Sequence, residues 1–308
     1  MPYPSPTTYP SALLFPGRGA GGGRFRIQIA VGDLVLNNIE PDGTTWTINP
    51  DGLDGWEGSP SSTLQLTQRA RGHGATGSEP FLTPRTISIS GKVKAASPDQ
   101  LSYVEDRLNE ACSIAPFTLT VVEHDRVRSV VAQRQDVVMF KARPGDGSVA
   151  DFSIQIAARD PRKFGDLLTT TTRLPFSSGG LAFPATFPIT FTGVSGTGKV
   201  TVNNPGNTQA PVWLRIDGPI PAGGWTVTHL GKKQSLTFAT ALALGTGEFV
   251  TVDMDRREVL AQGQAPRSGY VTSRGWFSLD PGDNEIAFSA QNYSSTASLS
   301  VTTKPSWS

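Results

Sequence analysis

A single cysteine, Cys112, stands in 308 residues, so no intramolecular disulfide can form and the chain must hold by packing or by association. It has only three histidines, His73, His124 and His229, and none is spaced as a metal ligand, so no structural zinc site is expected. There is no excess of either charge: the formal net charge is +1, which removes the basic footprint of a nucleic-acid binder. No apolar run approaches the length of a bilayer-spanning helix, so no membrane insertion is expected. Met1-Pro-Tyr-Pro-Ser-Pro lacks the basic and apolar regions of a secretory signal, which points to synthesis in a cytoplasm. A Gly-x-Ser-x-Gly nucleophile elbow is also absent.

Glycine (33) and proline (24) are abundant and separate many short apolar runs, a pattern of strands joined by turns. Hydrophobic residues at 37% supply enough apolar material for real cores, and the length suits two domains. Residues 1–23, rich in Pro, Ser and Gly, read as an extended arm. Residues 24–172 read as a β domain with one helix. Phe25, Ile27, Ile29 and Val31 alternate with polar or small residues, and further strands are predicted at 34–36, 46–48, 64–67, 86–93, 117–122, 127–133, 137–143 and 152–156. The glycine-dense stretch 68–80, holding His73, reads as a long loop. The helix has Ser97 as N-cap, Pro98 at its first position and Gln100 completing a capping box. Its apolar stripe is Leu101, Val104, Leu108 and Ala111, and Pro116 ends it.

Residues 173–308 show no helix signal. Nine short strands, at 189–191, 199–203, 212–216, 225–229, 235–238, 249–253, 276–279, 285–289 and 298–302, predict a β-sandwich, with the boundary placed in the Thr-rich stretch 169–173.

Several motifs suggest chemistry and fail on context. Gly193-Val-Ser-Gly-Thr-Gly198-Lys199 nearly fits a phosphate loop, but Val200 replaces the magnesium-binding hydroxyl and a strand follows where a helix is required. Gly17-Arg-Gly19-Ala-Gly-Gly22 matches a dinucleotide fingerprint by letter, with no strand before it and no helix after. Asp253, Asp255, Asp280, Asp283 and Glu285 offer oxygens without forming a calcium loop, and Asp280 and Asp283 flank a Pro-Gly turn. Cys112 reads as a small buried hydrophobe. Trp213 and Trp225, set in alternating strands, read as core, while the stretch 269–276 and the remaining tryptophans could line a sugar site. Asn292-Tyr-Ser294 is a formal glycosylation acceptor, without meaning unless the chain is exported to a glycosylating compartment. No pair of carboxylates is singled out for glycoside hydrolysis. No catalytic, cofactor-binding or metal residue is therefore assigned, and no cofactor is expected.

Asp51-Gly-Leu-Asp-Gly55, Arg71-Gly-His-Gly-Ala75 leading through Pro84-Arg85 into Thr86-Ile-Ser-Ile-Ser-Gly91, and Phe152-Ser-Ile-Gln-Ile-Ala-Ala-Arg-Asp160-Pro161-Arg-Lys-Phe164 follow one another in the first domain. The second has Val202-Asn-Asn-Pro-Gly206, Pro211-Val-Trp-Leu-Arg-Ile-Asp-Gly218 and Leu279-Asp-Pro-Gly-Asp-Asn-Glu-Ile-Ala-Phe288. In order and spacing, across nearly all of 24–303, these segments resemble the distal tail proteins of siphophages, often grouped as minor tail proteins. The resemblance implies a mainly β fold: an N-terminal split-barrel or sandwich-type domain with one helix, and a C-terminal galectin-like β-sandwich. It implies a non-enzymatic structural role in the virion, at the distal end of a phage tail. Six copies would form a ring joining the tail tube protein above to the tail-tip hub or fibres below. The rival expectation is a carbohydrate- or receptor-binding module contacting host cell-wall glycan, and a cell-wall hydrolase ranks below both.

Overall fold

The computed structural model describes residues 28–123, 126–178 and 194–308. The N-terminal arm at 1–23 with its Gly17–Gly22 motif, the start of the strand at Phe25, His124, the strand at 189–191 and Gly193 lie outside the described residues. The chain divides into two compact units that meet at Gly165 and Asp166.

The first unit is built on one antiparallel sheet. Its strands run in the order Leu34–Leu36, Gln28–Val31, Phe117–Val122, Val127–Arg134, Asp146–Ala158, Arg85–Lys94, Thr45–Asp54 and Asn38–Ile39, and Met139–Arg143 also pairs with Asp146–Ala158. The two ends of this path, Leu34–Leu36 and Asn38–Ile39, are separated in sequence only by Asn37, at φ +54°. The sheet therefore curls round on itself, as a barrel does. Alternation fills its interior: Ile87 and Ile89 from one strand stand opposite Ile156 and Ile154 from the next, and Val93 and Phe152 join the same core. Trp46 meets Phe152 edge-on at 5.5 Å.

The helix is Leu101–Ala111, preceded by a 3-10 turn at Pro98–Gln100. Val104, Leu108 and Cys112 are fully buried in this domain's core, and Leu101 and Ala111 pack against it. The predicted capping box does not form, and Ser97 makes no side-chain cap bond. The tighter first turn brings the Gln100 N–H to the Ser97 carbonyl (3.2 Å), a 3-10 bond that takes the place of the α-turn the box needs.

The second correction concerns 68–80. These residues are not a loop but the outer part of a β-hairpin, described below.

The second unit is a β-sandwich. One sheet has the order Leu168–Arg173, Ser298–Thr303, Val212–Asp217, Phe249–Asp253, Glu258–Ala261, Ala265–Pro266. The other has Lys199–Asn204, Gly282–Ala290, Trp225–His229, Gln234–Phe238, Val271–Arg274. Inward residues of both sheets form one core, centred on Trp225, Phe238, Phe288, Leu214 and Val301. The Thr-rich stretch read as the boundary is itself a strand, because Leu168–Arg173 pairs with Ser298–Thr303 along its whole length. Paired Thr169–Thr302 and Thr171–Ser300 hydroxyls (3.0 and 3.2 Å) explain why threonine suits it. The predicted strand at 276–279 is reduced to a single bridge, Leu279 to Ala210, while Glu258–Ala261 and Val271–Arg274 are strands the sequence did not signal.

Candidate functional site

The most conspicuous surface feature is an arm leaving the first domain. Ser62–Thr63 pairs with Phe81–Leu82, and Leu66–Gln68 pairs with Ala75–Gly77. Arg69 N–H to the Gly74 carbonyl (3.2 Å) closes the tip, where Gly72 and Gly74 hold φ of +127° and +93°, conformations suited to glycine. Every residue from 61 to 82 is exposed, including Leu64 (51%), Leu66 (63%) and Phe81 (66%). A two-stranded ribbon with apolar side chains in water is not a stable element by itself. The tip carries Arg69, Arg71 and His73.

The base of this arm is rigid. Arg85, on the returning leg, is 3% exposed. Its Nε donates to the Pro161 carbonyl (2.9 Å), and its Nη1 donates to the carbonyls of Gly55 (2.9 Å), Trp56 (3.1 Å) and Gly58 (3.2 Å) on the outgoing leg. One guanidinium thus ties both legs to each other and to the segment after Asp160. Gly55 is at φ +77°, and a Cβ there would lie 2.0 Å from the Thr86 oxygen.

Around Trp56 a charged cluster closes the knot. Its indole N–H donates to Glu123 Oε1 (2.8 Å), which also accepts from Arg128 Nη2 (2.6 Å). Lys163 Nζ donates to the Trp56 carbonyl (3.0 Å) and lies 5.5 Å from its ring centre, with Arg128 at 5.9 Å. Burial alone would raise the Glu123 pKa, but the indole and guanidinium bonds reverse this and hold it below the usual carboxylate value. Burial, and after it the charges of Arg85 and Arg128, pushes the Lys163 ammonium down to about 8.

The sign for stability follows. Below pH 8 Lys163 is charged in both folded and unfolded chains, and the burial penalty is fully present. Between about 8 and 10.5 the unfolded chain holds the extra proton, so wild-type stability rises with pH. Denaturant midpoints of the first domain, measured across that window, are expected to show wild type gaining on Lys163→Met as pH rises. Parallel curves would contradict the assignment.

Three of the segments picked out in the sequence, Asp51–Gly55, Pro84-Arg85 and Asp160-Pro161-Arg-Lys-Phe164, meet at this knot. Trp56, Glu123, Arg128 and Lys163 were not singled out beforehand. One signal was available: Arg85 is in phase with Ile87, Ile89 and Val93, which marks an inward-facing arginine.

In the second domain the candidate residues serve turns and packing. His229 is buried. Its Nδ1 accepts from the Lys232 N–H (3.3 Å), so Nε2 carries the proton and donates to Asn284 Oδ1 (3.0 Å). Burial holds its pKa below the ordinary imidazole value. Asn284 in turn donates to the carbonyls of Asp280 and Gly282, fixing the Pro281-Gly282 turn. Asp280 pairs with Lys232 (2.8 Å), Asp283 accepts from Asn203 (2.7 Å), and Asp253 accepts the Trp213 indole (3.0 Å). Among the described residues no group of three or more His, Cys, Asp or Glu is placed to hold a metal ion. Burial pushes the Cys112 thiol up to about 11. Lys199 begins a strand, paired from Lys199 to Asn204 with Gly282–Ala290. Trp225 is core as expected, but Trp213 is not. It is half-buried on the outer face of its strand, in phase with Arg215 and opposite to the buried Val212, Leu214 and Ile216. On the same face Arg215 covers the Phe249 ring at 3.8 Å.

Residues 205–307 match the family model described as siphovirus-type tail component, C-terminal domain. This C-terminal third of the chain is therefore similar to the siphovirus-type tail components. This bears out the resemblance read from the sequence. Among solved structures, the fold of this chain is similar to that of the Dit protein (gp 19.1) of phage SPP1, described as a paradigm of the hub adsorption apparatus in phages infecting Gram-positive hosts. The TM-score is 0.63 at 13% identity, over 90% of this chain and 98% of that one. A chain of the phage P2 baseplate in its activated conformation aligns with a TM-score of 0.49 at 12% identity, over 90% and 97%. No curated protein matches by sequence. The described residues are mainly β, with one α-helix, as the resemblance implied.

Proposed function

We propose that this chain is a structural distal tail protein, without catalytic activity, which forms a ring of six copies at the distal end of a phage tail. The ring joins the tail tube protein to the tail-tip hub or fibres, and it assembles in the host cytoplasm. The observation that carries this reading is the arm: an exposed ribbon with Leu64, Leu66 and Phe81 in water, clamped at a buried base. A rigid base with an apolar, unsupported extension is what a contact between copies requires. The six-fold number and the galectin-like character of the second sandwich rest on the family resemblance.

The test is to replace residues 62–82 by a short Gly-containing turn in the full chain and measure native mass. Intact chain is expected to assemble to six copies at high concentration. The shortened chain is expected to remain monomeric with both domains folded by circular dichroism. Rings formed without the arm would overturn the reading.

A second reading, contact with host cell-wall glycan, draws on a depression of about 470 Å³ in the C-terminal sandwich lined by Thr226, Thr237, Thr272 and Ser289. Its lining aromatics, Trp225 and Phe238, are each only 1% exposed, so they offer no stacking platform for a sugar.

A further inference from the structure

We propose that the arm of one copy docks on the outer face of the helix Leu101–Ala111 of the next copy, with the basic tip set against an acidic stripe. The proposal rests on the reading of the chain as self-assembling, and it names the surface the arm takes.

The helix buries one face only. Val104, Leu108 and Cys112 point into the core. The opposite face presents Tyr103, Asp106 and Glu110 at spacings of three and four residues, which align them in one stripe, and Asp99 stands in the 3-10 turn just before the helix. All four are exposed, and Tyr103 is 63% exposed. The neighbouring cation, Arg107, is already neutralised by Glu40, whose Oε1 accepts from Nη2 at 2.9 Å. Asp99, Asp106 and Glu110 form no ion pair among the described residues, and neither do Arg69 and Arg71 at the arm tip.

The two surfaces complement each other in charge and in apolar content. The tip offers two arginines and His73, and the legs offer leucines and Phe81. The helix face offers three carboxylates around a tyrosine ring, which accepts a guanidinium over its face. Ile39 (50% exposed) precedes Glu40, the residue tied to Arg107, and supplies apolar surface beside the stripe. The legs, about eight residues each at roughly 3.3 Å per residue, reach about 25 Å, enough to cross to an adjoining domain.

The arm and the helix face are different patches, so the contact is head-to-tail. Such a contact propagates from copy to copy, and it closes into a ring when the rotation between copies allows.

The experiment uses the full chain in two charge-reversed forms, Arg69→Glu with Arg71→Glu, and Asp106→Lys with Glu110→Lys. Assembly is followed by sedimentation velocity at low and high salt, with circular dichroism and thermal unfolding to verify that both forms fold as wild type. Each form alone sets like charges against each other, and its assembly midpoint is expected to rise by roughly tenfold or more. Mixed in equal proportion, the two forms complement at every interface, and assembly is expected to return with the copies alternating. A midpoint unchanged by reversal of the tip, or a mixture no better than either form alone, would overturn the docking surface while leaving the ring reading in place. Wild-type chain that stays monomeric at every concentration would remove the ring reading, and this contact with it.

Discussion

Replacing Arg85 by alanine is expected to destabilise the first domain by about 3–5 kcal/mol, the order set by leaving several buried carbonyls without a donor. Four carbonyls, those of Gly55, Trp56, Gly58 and Pro161, lose a donor at once. Each buried acceptor left without its bond costs about 1–3 kcal/mol, and partial relaxation of the 55–58 turn keeps the total below the sum. Burial lowers the guanidinium pKa, and Arg128 lowers it further. No carboxylate pairs with Arg85 among the described residues, so its charge is held by carbonyl dipoles alone. Lysine cannot substitute fully, since one ammonium cannot reach both the Pro161 side and the 55–58 turn in a planar fork. Chemical unfolding followed through Trp56 fluorescence would measure the loss, and the second domain's transition should not move. A loss under about 1 kcal/mol would show that the clamp is dispensable.

In the second domain the largest effect is expected at Phe238. Its ring stacks on Trp225 with centroids 3.6 Å apart and planes at 18°, and each residue is 1% exposed. The pair fills the core at adjoining strands, where Trp225 and Phe238 are direct cross-strand partners. Phe238→Ala removes the ring and leaves a cavity that flanking strands cannot close, at about 3–5 kcal/mol. The near-UV circular dichroism of the stacked indole should weaken in the folded variant. The first domain's transition serves as the internal control. A normal near-UV spectrum with a loss under about 1 kcal/mol would mean that the core repacks around the gap.

Regular alternation made most of the architecture readable. The strand Arg85–Lys94 and the strand Asp146–Ala158 alternate cleanly because one face of each is core. Of the arm only the strand at 64–67 was read, for the complementary reason. Both its faces meet water, so no burial pattern is imposed on 62–82, and Gly72, Gly74 and Gly77 read as loop. Trp213 was misplaced because its aromatic character was weighed above its phase, although Val212, Leu214 and Ile216 already assign it to the other face. The stretch 169–173 forms a strand that the sequence did not signal, because threonine is a turn residue in a linker and a ladder residue on a wet sheet. The knot at Trp56 could not be read from local pattern at all. It joins residues 55–58, 85, 123, 128 and 161–163, which only the closed sheet brings together.

The strand Ser298–Thr303 sits second in its sheet, between Leu168–Arg173 and Val212–Asp217. On the ribosome the first domain's strands from Gln28 to Phe164 are available once Gly165 has emerged, and it can begin to fold while the rest is still being made. The sandwich has no such freedom. Until Ser298–Thr303 arrives, Leu168–Arg173 has no neighbour and Val212–Asp217 keeps an open edge with unpaired amides and carbonyls. A nascent chain in that state is a template for pairing with other copies in the wrong way. Translation speed over the closing stretch, and chaperones that shield open strands, would then govern how much of this protein reaches its folded state.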